Sequence, residues 1–453
     1  MPAFKRLKLR TITSCRVCGS RNLPSVLSLG STYISDFVTG RVLPGEERYP
    51  LELVLCDSEK GCGLLQLAHS VDPSRMYNFY YYHSGTNTQM RTALRDITEK
   101  AESMIPLKEG DLVLDIGCND GTLLRSYGTK GIEKVGFDPA KNLIPEARVG
   151  TTRIINDYFN YEAFEEYFPA RKAKLITAIA VFYDVDDPNR FVADIVKCLD
   201  PNGMWIIQMS YLPSMLERNA FDNICHEHLE YYSMSSLQHL LKRHHLKAVD
   251  VELNDVNGGS FRIYVQHEKA TPHPAGVGRV KELEIKEKES GLQDRSTYLL
   301  FASRINAIRD ELCALIRKEK EKGKTILAYG ASTKGNTLLQ YFSLDHRLIT
   351  AAAERNPDKF GKKTIGTWIP IISEEEARSL RPDYFLILPW HFRAGFIERE
   401  KDFLLSGGRF IIPLPQVEIF PPRTRKGQQT IDHQETAPAS DEAPPEPAHY
   451  KTN

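Results

Sequence analysis

The 453-residue chain has no run approaching the roughly 18 apolar residues that a membrane-spanning helix needs. Its first ten residues carry Lys5, Arg6, Lys8 and Arg10 and lack the apolar core of a secretion signal. A cytoplasmic protein with no membrane partner is therefore expected. Charge of one sign is lacking as well, since 59 Lys and Arg stand against 59 Asp and Glu. Duplex nucleic acid is gripped by an excess of cations that neutralise phosphates, so no nucleic-acid partner is expected. Neither a G-x-x-x-x-G-K-[ST] loop nor a G-x-G-x-x-G turn occurs. That removes the usual sequence grounds for an NTPase or a dinucleotide enzyme. Cysteine is sparse, with eight in the chain, yet Cys15, Cys18, Cys56 and Cys62 crowd the first 62 residues. In a reducing compartment such front-loading points to a metal site rather than to disulfides.

At roughly 150 residues per domain, the length predicts two to four domains. Cys15 and Cys18 form a C-x2-C knuckle, and Cys56 and Cys62 a wider pair flanked by Gly61 and Gly63. Together they predict a closed, structural zinc site that folds a small first domain over residues 1–75, with His69 as an alternative ligand. Residues 76–275 alternate strand and helix, and 276–422 read as a charged helical linker followed by a second α/β unit. From 423 onward Gln, Ser, Glu, Pro and Ala without periodicity predict a disordered tail.

The stretch 112–124 organises the middle block. A short apolar run predicts a buried parallel strand, and Gly117 and Gly121 make a tight turn into an apolar helix start. Asp115, Asn119 and Asp120 surround that turn, and carboxylates repel phosphates. They suit a ligand with a positive centre and free hydroxyls. Asp138, at the end of the next strand, is placed for a ribose, and Asp157 lies in the turn after the third. Strand, D-x-G-x-x-x-G turn, helix, strand and acid resemble the S-adenosylmethionine (SAM) site of class I methyltransferases. The resemblance implies SAM held by Asp115, Gly117, Asn119, Asp120, Gly121, Asp138 and Asp157. Further strands over 173–182, 204–211, 248–253 and 260–265 continue the series expected of a Rossmann-like core.

Regularity breaks at 221–233, where His226 and His228 flank Glu227 and are followed by Tyr231 and Tyr232. Imidazoles beside a carboxylate are proton-transfer equipment at neutral pH. A metal reading would need ligands one helical turn apart, which H-E-H does not offer. Upstream, the aromatic segment 76–87 offers Tyr80 or Tyr82 to a polar pocket. Downstream, a strand over 325–329, Gly330, Lys334-Gly335 and an apolar helix start predict an anion at a helix N-terminus with Lys334 as its counter-charge.

Five motifs in this order resemble the sugar C-methyltransferases that act on nucleotide-linked 4-keto-6-deoxyhexoses. They are Cys15-x2-Cys18 with Cys62-Gly-Leu, Asp115 to Gly121, His226 to Ser233, Asn257-Gly-Gly-Ser260, and Tyr329 to Gly335 with Leu388 to Phe392. The resemblance implies a zinc-binding domain, a class I methyltransferase core and a C-terminal α/β domain. It also implies catalysis by Glu227 and His228 with a tyrosine ahead of the core, most nearly Tyr82. His228 would be the base, oriented by Glu227, and Tyr82, Tyr231 or His226 the donor to the enolate oxygen. Asn257, Ser260, Arg262 and Lys334 are expected at the nucleotide-linked sugar, Lys334 at its diphosphate. Two positions depart from the family: Cys225 stands where it carries a tyrosine, and Asp184 where it carries a histidine. The alternatives are O- or N-methylation of a small molecule, or a zinc-containing adaptor with an idle methyltransferase fold.

Overall fold

The computed structural model describes residues 9–40, 48–56, 61–86, 88–271 and 276–422. The expected tail lies outside them, as do residues 272–275 at the expected boundary between the second and third blocks. Leu112, Val113, Leu114 and Ile116 are buried on both faces, as a parallel strand covered by helices requires. Around it lies a seven-stranded sheet of Leu112–Ile116, Glu133–Phe137, Arg153–Ile155, Ala173–Ile179, Leu199–Ser210, Leu246–Asn254 and Ser260–His267. Numbered in chain order, the spatial order is 3-2-1-4-5-7-6, with the last strand antiparallel to both neighbours. This is the class I methyltransferase arrangement. The strand order reverses between strands 1 and 4, and a ligand crevice opens there at the strands' carboxyl ends.

A second sheet carries the C-terminal domain. Its strands run in the order Ile371–Ser373, Ala352–Glu354, Ile326–Tyr329, Tyr384–Ile387, Arg409–Ile412 and Glu418–Phe420, the first five parallel. It has its own reversal point beside Ile326–Tyr329, so Gly330 to Lys334 and Leu388 to Phe392 sit at the mouth of that crevice. Gly330 has φ 84, and a Cβ there would stand 2.6 Å from Pro389. Within the charged linker the long helix Arg295–Glu321 buries Tyr298, Phe301, Ile305, Ile308, Leu312 and Ile316 on one stripe. That stripe joins Leu51, Leu53, Leu65 and Leu67 of the first domain and Ile326 to Ala328 of the last into a single core.

A third sheet is made of Ser25–Tyr33, Arg48–Leu55, Leu65–Leu67 and Glu230–Tyr231. Its fourth strand comes from the segment just after His228. Tyr231 pairs with Leu65 and Glu230 with Gln66, and Leu67 N donates to Leu229 O at 2.9 Å. The four cysteines lie beside this sheet with all Sγ atoms within 4.8 Å of one another. Cys15 Sγ is 3.5 Å from Cys62 Sγ, and Cys18 Sγ is 3.4 Å from Cys56 Sγ. Zinc with four thiolates at about 2.3 Å would have sulfur-sulfur edges of about 3.8 Å, so the cluster needs only a slight expansion. Mutual hydrogen bonds hold the Cys15 thiol low and push Cys56 and Cys62 up, and a divalent cation is what lets all four ionise. Cys15, Val17, Cys56 and Leu64 pack in the same core as Phe182, Trp205 and Tyr232 of the methyltransferase sheet.

The purified chain should therefore carry about one zinc. Because Leu65–Leu67 and Glu230–Tyr231 are hydrogen-bonded, chelation should raise amide hydrogen exchange in both strands together. Exchange confined to residues 9–77 would break the proposed link.

Candidate functional site

The cofactor turn is dictated by packing as much as by any ligand. Gly117 has φ 69 and its Cβ would stand 2.3 Å from Val181, while a Cβ on Gly121, at φ 78, would meet Ala147 O at 2.9 Å. Asp115 is buried and accepts the Thr177 hydroxyl at 2.6 Å, and burial pushes its carboxyl up to about 7. Asp138 accepts the backbone N–H of Asn119 and of Ala140, both at 2.8 Å, which fixes its carboxylate at the end of the second strand. Burial lifts it to about 6. Asp157 lies exposed beyond the third strand. Acids at three neighbouring strand ends fit the hydroxyls and the sulfonium charge of SAM.

Asn119 and Asp120 face protein. Asn119 Oδ1 accepts from Ser84 N at 2.9 Å, its Nδ2 donates to Tyr82 O at 2.9 Å, and Asp120 Oδ2 accepts from Gly85 N at 2.6 Å. Asn142 holds Tyr80 by both backbone groups, at 3.0 and 2.8 Å. Residues 80–86 thus form a strap across the cofactor turn. Tyr81 anchors it elsewhere: its ring meets Phe37, its carbonyl accepts Asn356 Nδ2 and its hydroxyl accepts Lys362 Nζ, both at 3.0 Å. Tyr82, expected among the catalytic groups, is 43% exposed and lies on the Asp120 side. Tyr77 and Tyr80 are the phenols turned inward. Tyr77 Oη donates to Glu227 O at 3.3 Å, and burial beside Glu227 and Asp184 lifts the Tyr80 phenol well above its ordinary range.

The two imidazoles of the H-E-H segment face different ways. His226 Nε2 is 3.2 Å from Tyr49 O and its ring packs edge-on to Tyr49, so it belongs to the contact with the first domain. His228 Nδ1 is 2.7 Å from Asn223 O. A carbonyl only accepts, so Nδ1 bears the hydrogen and Nε2 keeps its lone pair. The orienting group is thus the Asn223 carbonyl, where the sequence had pointed to Glu227. Tyr183 packs edge-on at 4.4 Å. Burial and the nearby Lys334 charge pull His228 down to about 3, which keeps it neutral at working pH. Glu227 is buried and pushed up to about 7. Its carboxylate, Cys225 Sγ and a His228 ring nitrogen lie within 4.8 Å of one another. Asp184 points Oδ1 into the same buried region with no hydrogen-bond partner among the described residues. Tyr231 Oη donates to Asn223 O at 3.4 Å.

The C-terminal domain closes this segment from the other side. Lys334 Nζ donates to Asn257 O at 3.0 Å, and Trp390 Nε1 to Asp222 Oδ2 at 3.0 Å. Asn257 turns in the left-handed region at φ 56. At the start of the Lys334 helix Ser332 Oγ caps Gly335 N at 3.0 Å, and in the turn before it Glu354 Oε2 accepts Ala331 N at 3.0 Å. Ser260 Oγ donates to Val256 O, which closes its own loop. Arg262, expected at the substrate, lies in the core sheet: its guanidinium bonds Gln208 and Asp96, both at 2.8 Å, and its side chain is 5% exposed. Asn142, Asp222 and Asn223 were missed. Only Asp222 and Asn223, being next to the H-E-H run, carried any signal.

Family models match the chain in three consecutive parts: a zinc binding domain over residues 15–77, a methyltransferase domain over 86–251 and a C-methyltransferase C-terminal domain over 255–415. The C-methyltransferase NovU of Streptomyces niveus is 33% identical over 414 residues, spanning 91% of this chain and 97% of its own. A ubiquinone biosynthesis O-methyltransferase of Rhodopseudomonas palustris is 28% identical over 117 residues, 25% of this chain and 46% of that one. Among solved structures, a S-adenosylmethionine-dependent methyltransferase from Clostridium acetobutylicum covers 39% of this chain and 92% of its own at 15% identity, with a TM-score of 0.31. With the four thiols gathered, the SAM-type turn built and a match that runs nearly end to end, the chain belongs to the SAM-dependent C-methyltransferases that carry a structural zinc.

Proposed function

We propose that the chain methylates a carbon beside the ketone of a nucleotide-linked 4-keto-deoxy sugar. The observation that carries this reading is His228, whose Nδ1 is tied to a carbonyl so that Nε2 is a bare, neutral proton acceptor. A C–H bond next to a ketone is acidic enough for such a positioned base. When bound, SAM supplies an electrophilic methyl group, and Asp115 and Asp138 would hold it beneath the strap 80–86 that Asn119 and Asp120 fasten. His228 takes the proton, and an ionised Glu227 nearby stabilises the imidazolium that results. Holding two substrates in one closed crevice contributes several kcal/mol by itself. The C-terminal domain closes the crevice over the sugar.

The direct test is methyl-labelled SAM with a panel of nucleotide-linked 4-keto sugars, the label being mapped by NMR. Label on carbon is expected. Label on oxygen or nitrogen would move the reaction to heteroatom methylation, and no turnover on any member would remove the sugar from the reading. Replacing His228 by Asn keeps a hydrogen bond but removes the acceptor, so turnover should fall at least about 10²-fold, the usual scale for a lost general base. SAM affinity, measured by calorimetry, should hardly move. The carboxyl of Glu227, raised to about 7 by burial, is protonated below that pH and ionised above it. Since the ionised form is the useful one, turnover should fall as pH drops through about 7. In Glu227→Gln that limb should vanish along with most of the activity, whereas a wild-type profile flat from pH 6 to 8 would contradict the assignment.

A further inference from the structure

Removing a proton beside a ketone puts negative charge on the ketone oxygen, and a donor fixed in advance at that oxygen is commonly the largest single aid to such a step. The donors to which the sequence points are engaged elsewhere. His226 is on Tyr49 O, Tyr231 on Asn223 O, and Tyr82 lies on the exposed side of the strap. Tyr80 is buried beside Glu227 and Asp184, and that surrounding lifts its phenol well above its ordinary range.

The Lys334 charge reaches His228 from the C-terminal domain. The helix Thr333–Tyr341 packs against the turn Phe221–Asn223, whose last residue supplies the carbonyl that orients His228. Lys334 stands in the first turn of that helix. Its ammonium has three donors, of which one goes to Asn257 O. The side chain is partly buried with the Asp222 charge beside it, and its other two donors make no hydrogen bond among the described residues. Around it, Asp222 Oδ1, Asn223 Oδ1 and His391 Nδ1 are buried without hydrogen-bond partners among the described residues. Unpartnered polar atoms around a cation make a surface for an oxygen-rich ligand.

We infer that Lys334, from the C-terminal domain, receives the enolate oxygen generated when His228 takes the proton. This rests on the carbon-methylation reading above. In the step the C–H bond breaks and its proton goes to His228 Nε2. The C–H electron pair becomes the C=C bond, and the carbonyl π pair moves onto oxygen. Lys334 donates a hydrogen bond to that oxygen and keeps its own proton.

The experiment follows solvent deuterium into the 4-keto sugar that the wild-type chain methylates, using the full zinc-loaded chain. In Lys334→Met, exchange and kcat should both fall about 10²-fold or more, the scale of a lost oxyanion donor. KM and SAM affinity should stay within about threefold. Lys334→Arg keeps the charge and should retain more activity than Lys334→Met. Ethylamine added to Lys334→Ala should restore turnover at least about tenfold, which a purely structural lysine would not allow. A raised KM with unchanged kcat would make Lys334 a binding residue and overturn the inference. So would normal exchange in Lys334→Met, or exchange lost in Tyr80→Phe but kept in Lys334→Met. Wild type that methylates carbon while the lysine variants behave normally sinks only this inference. Wild type that exchanges no C–H proton sinks the carbanion reading, and this inference with it.

Discussion

Much of the molecule depends on a two-residue ladder. Glu230–Tyr231 pairs with Leu65–Leu67 two residues after His228, and Leu229 N donates to Tyr183 O at 2.8 Å on the core side. The segment carrying His228 is thereby pinned between the sheet beside the four cysteines and the methyltransferase sheet, since every backbone group withdrawn from water must find a partner. A short strand is weak by itself. Here its neighbours are buried in cores that span all three domains, so the pairing inherits their rigidity. Glu287, on the helix Val277–Glu289, adds a clamp, accepting Tyr211 Oη, Met234 N and both Ser235 donors at the start of the helix Met234–Arg243.

Charge is distributed with the same economy. On the cofactor side stand Asp115, Asp138, Glu227 and Asp184, all lifted by burial. On the far side stands Lys334, lowered by burial and held up by Asp222. Under the proposed reaction a cationic methyl donor and an anionic intermediate would each meet opposite charge across one crevice. Cys225 and Asp184, the two departures from the family pattern, both lie close to Glu227.

The core was legible because its signals are local. Parallel strands such as 112–116 and 173–179 are predominantly apolar runs, and Gly117 and Gly121 mark a turn that tolerates no side chain. The four thiols were legible from spacing. The strand Glu230–Tyr231 was not: two residues cannot display a period, and its partner lies about 165 residues away. Arg262 misled because a guanidinium near a Gly-Gly turn resembles an anion site, while its partners Asp96 and Gln208 come from distant segments. Lys334 was noticed for its helix start, yet its surroundings come from Asp222, Asn257 and His391, which only the fold brings together. Tyr82 was preferred over Tyr80 because neighbours in a run of tyrosines carry no label of which ring faces inward.

The strap has a bearing on how such proteins can be recombined. Tyr81 is held by Phe37, Asn356 and Lys362, while residues on either side of it are held by Asn119, Asp120 and Asn142. One stretch of backbone therefore reads the sequences of all three domains at once. A chimera that joins the first domain of one relative to the remainder of another inherits a strap fitted to partners it no longer has, and its cofactor turn loses its cover although every residue of that turn is native. Crossover points that respect the family's apparent modules are, for this architecture, the ones that cut through its shared parts.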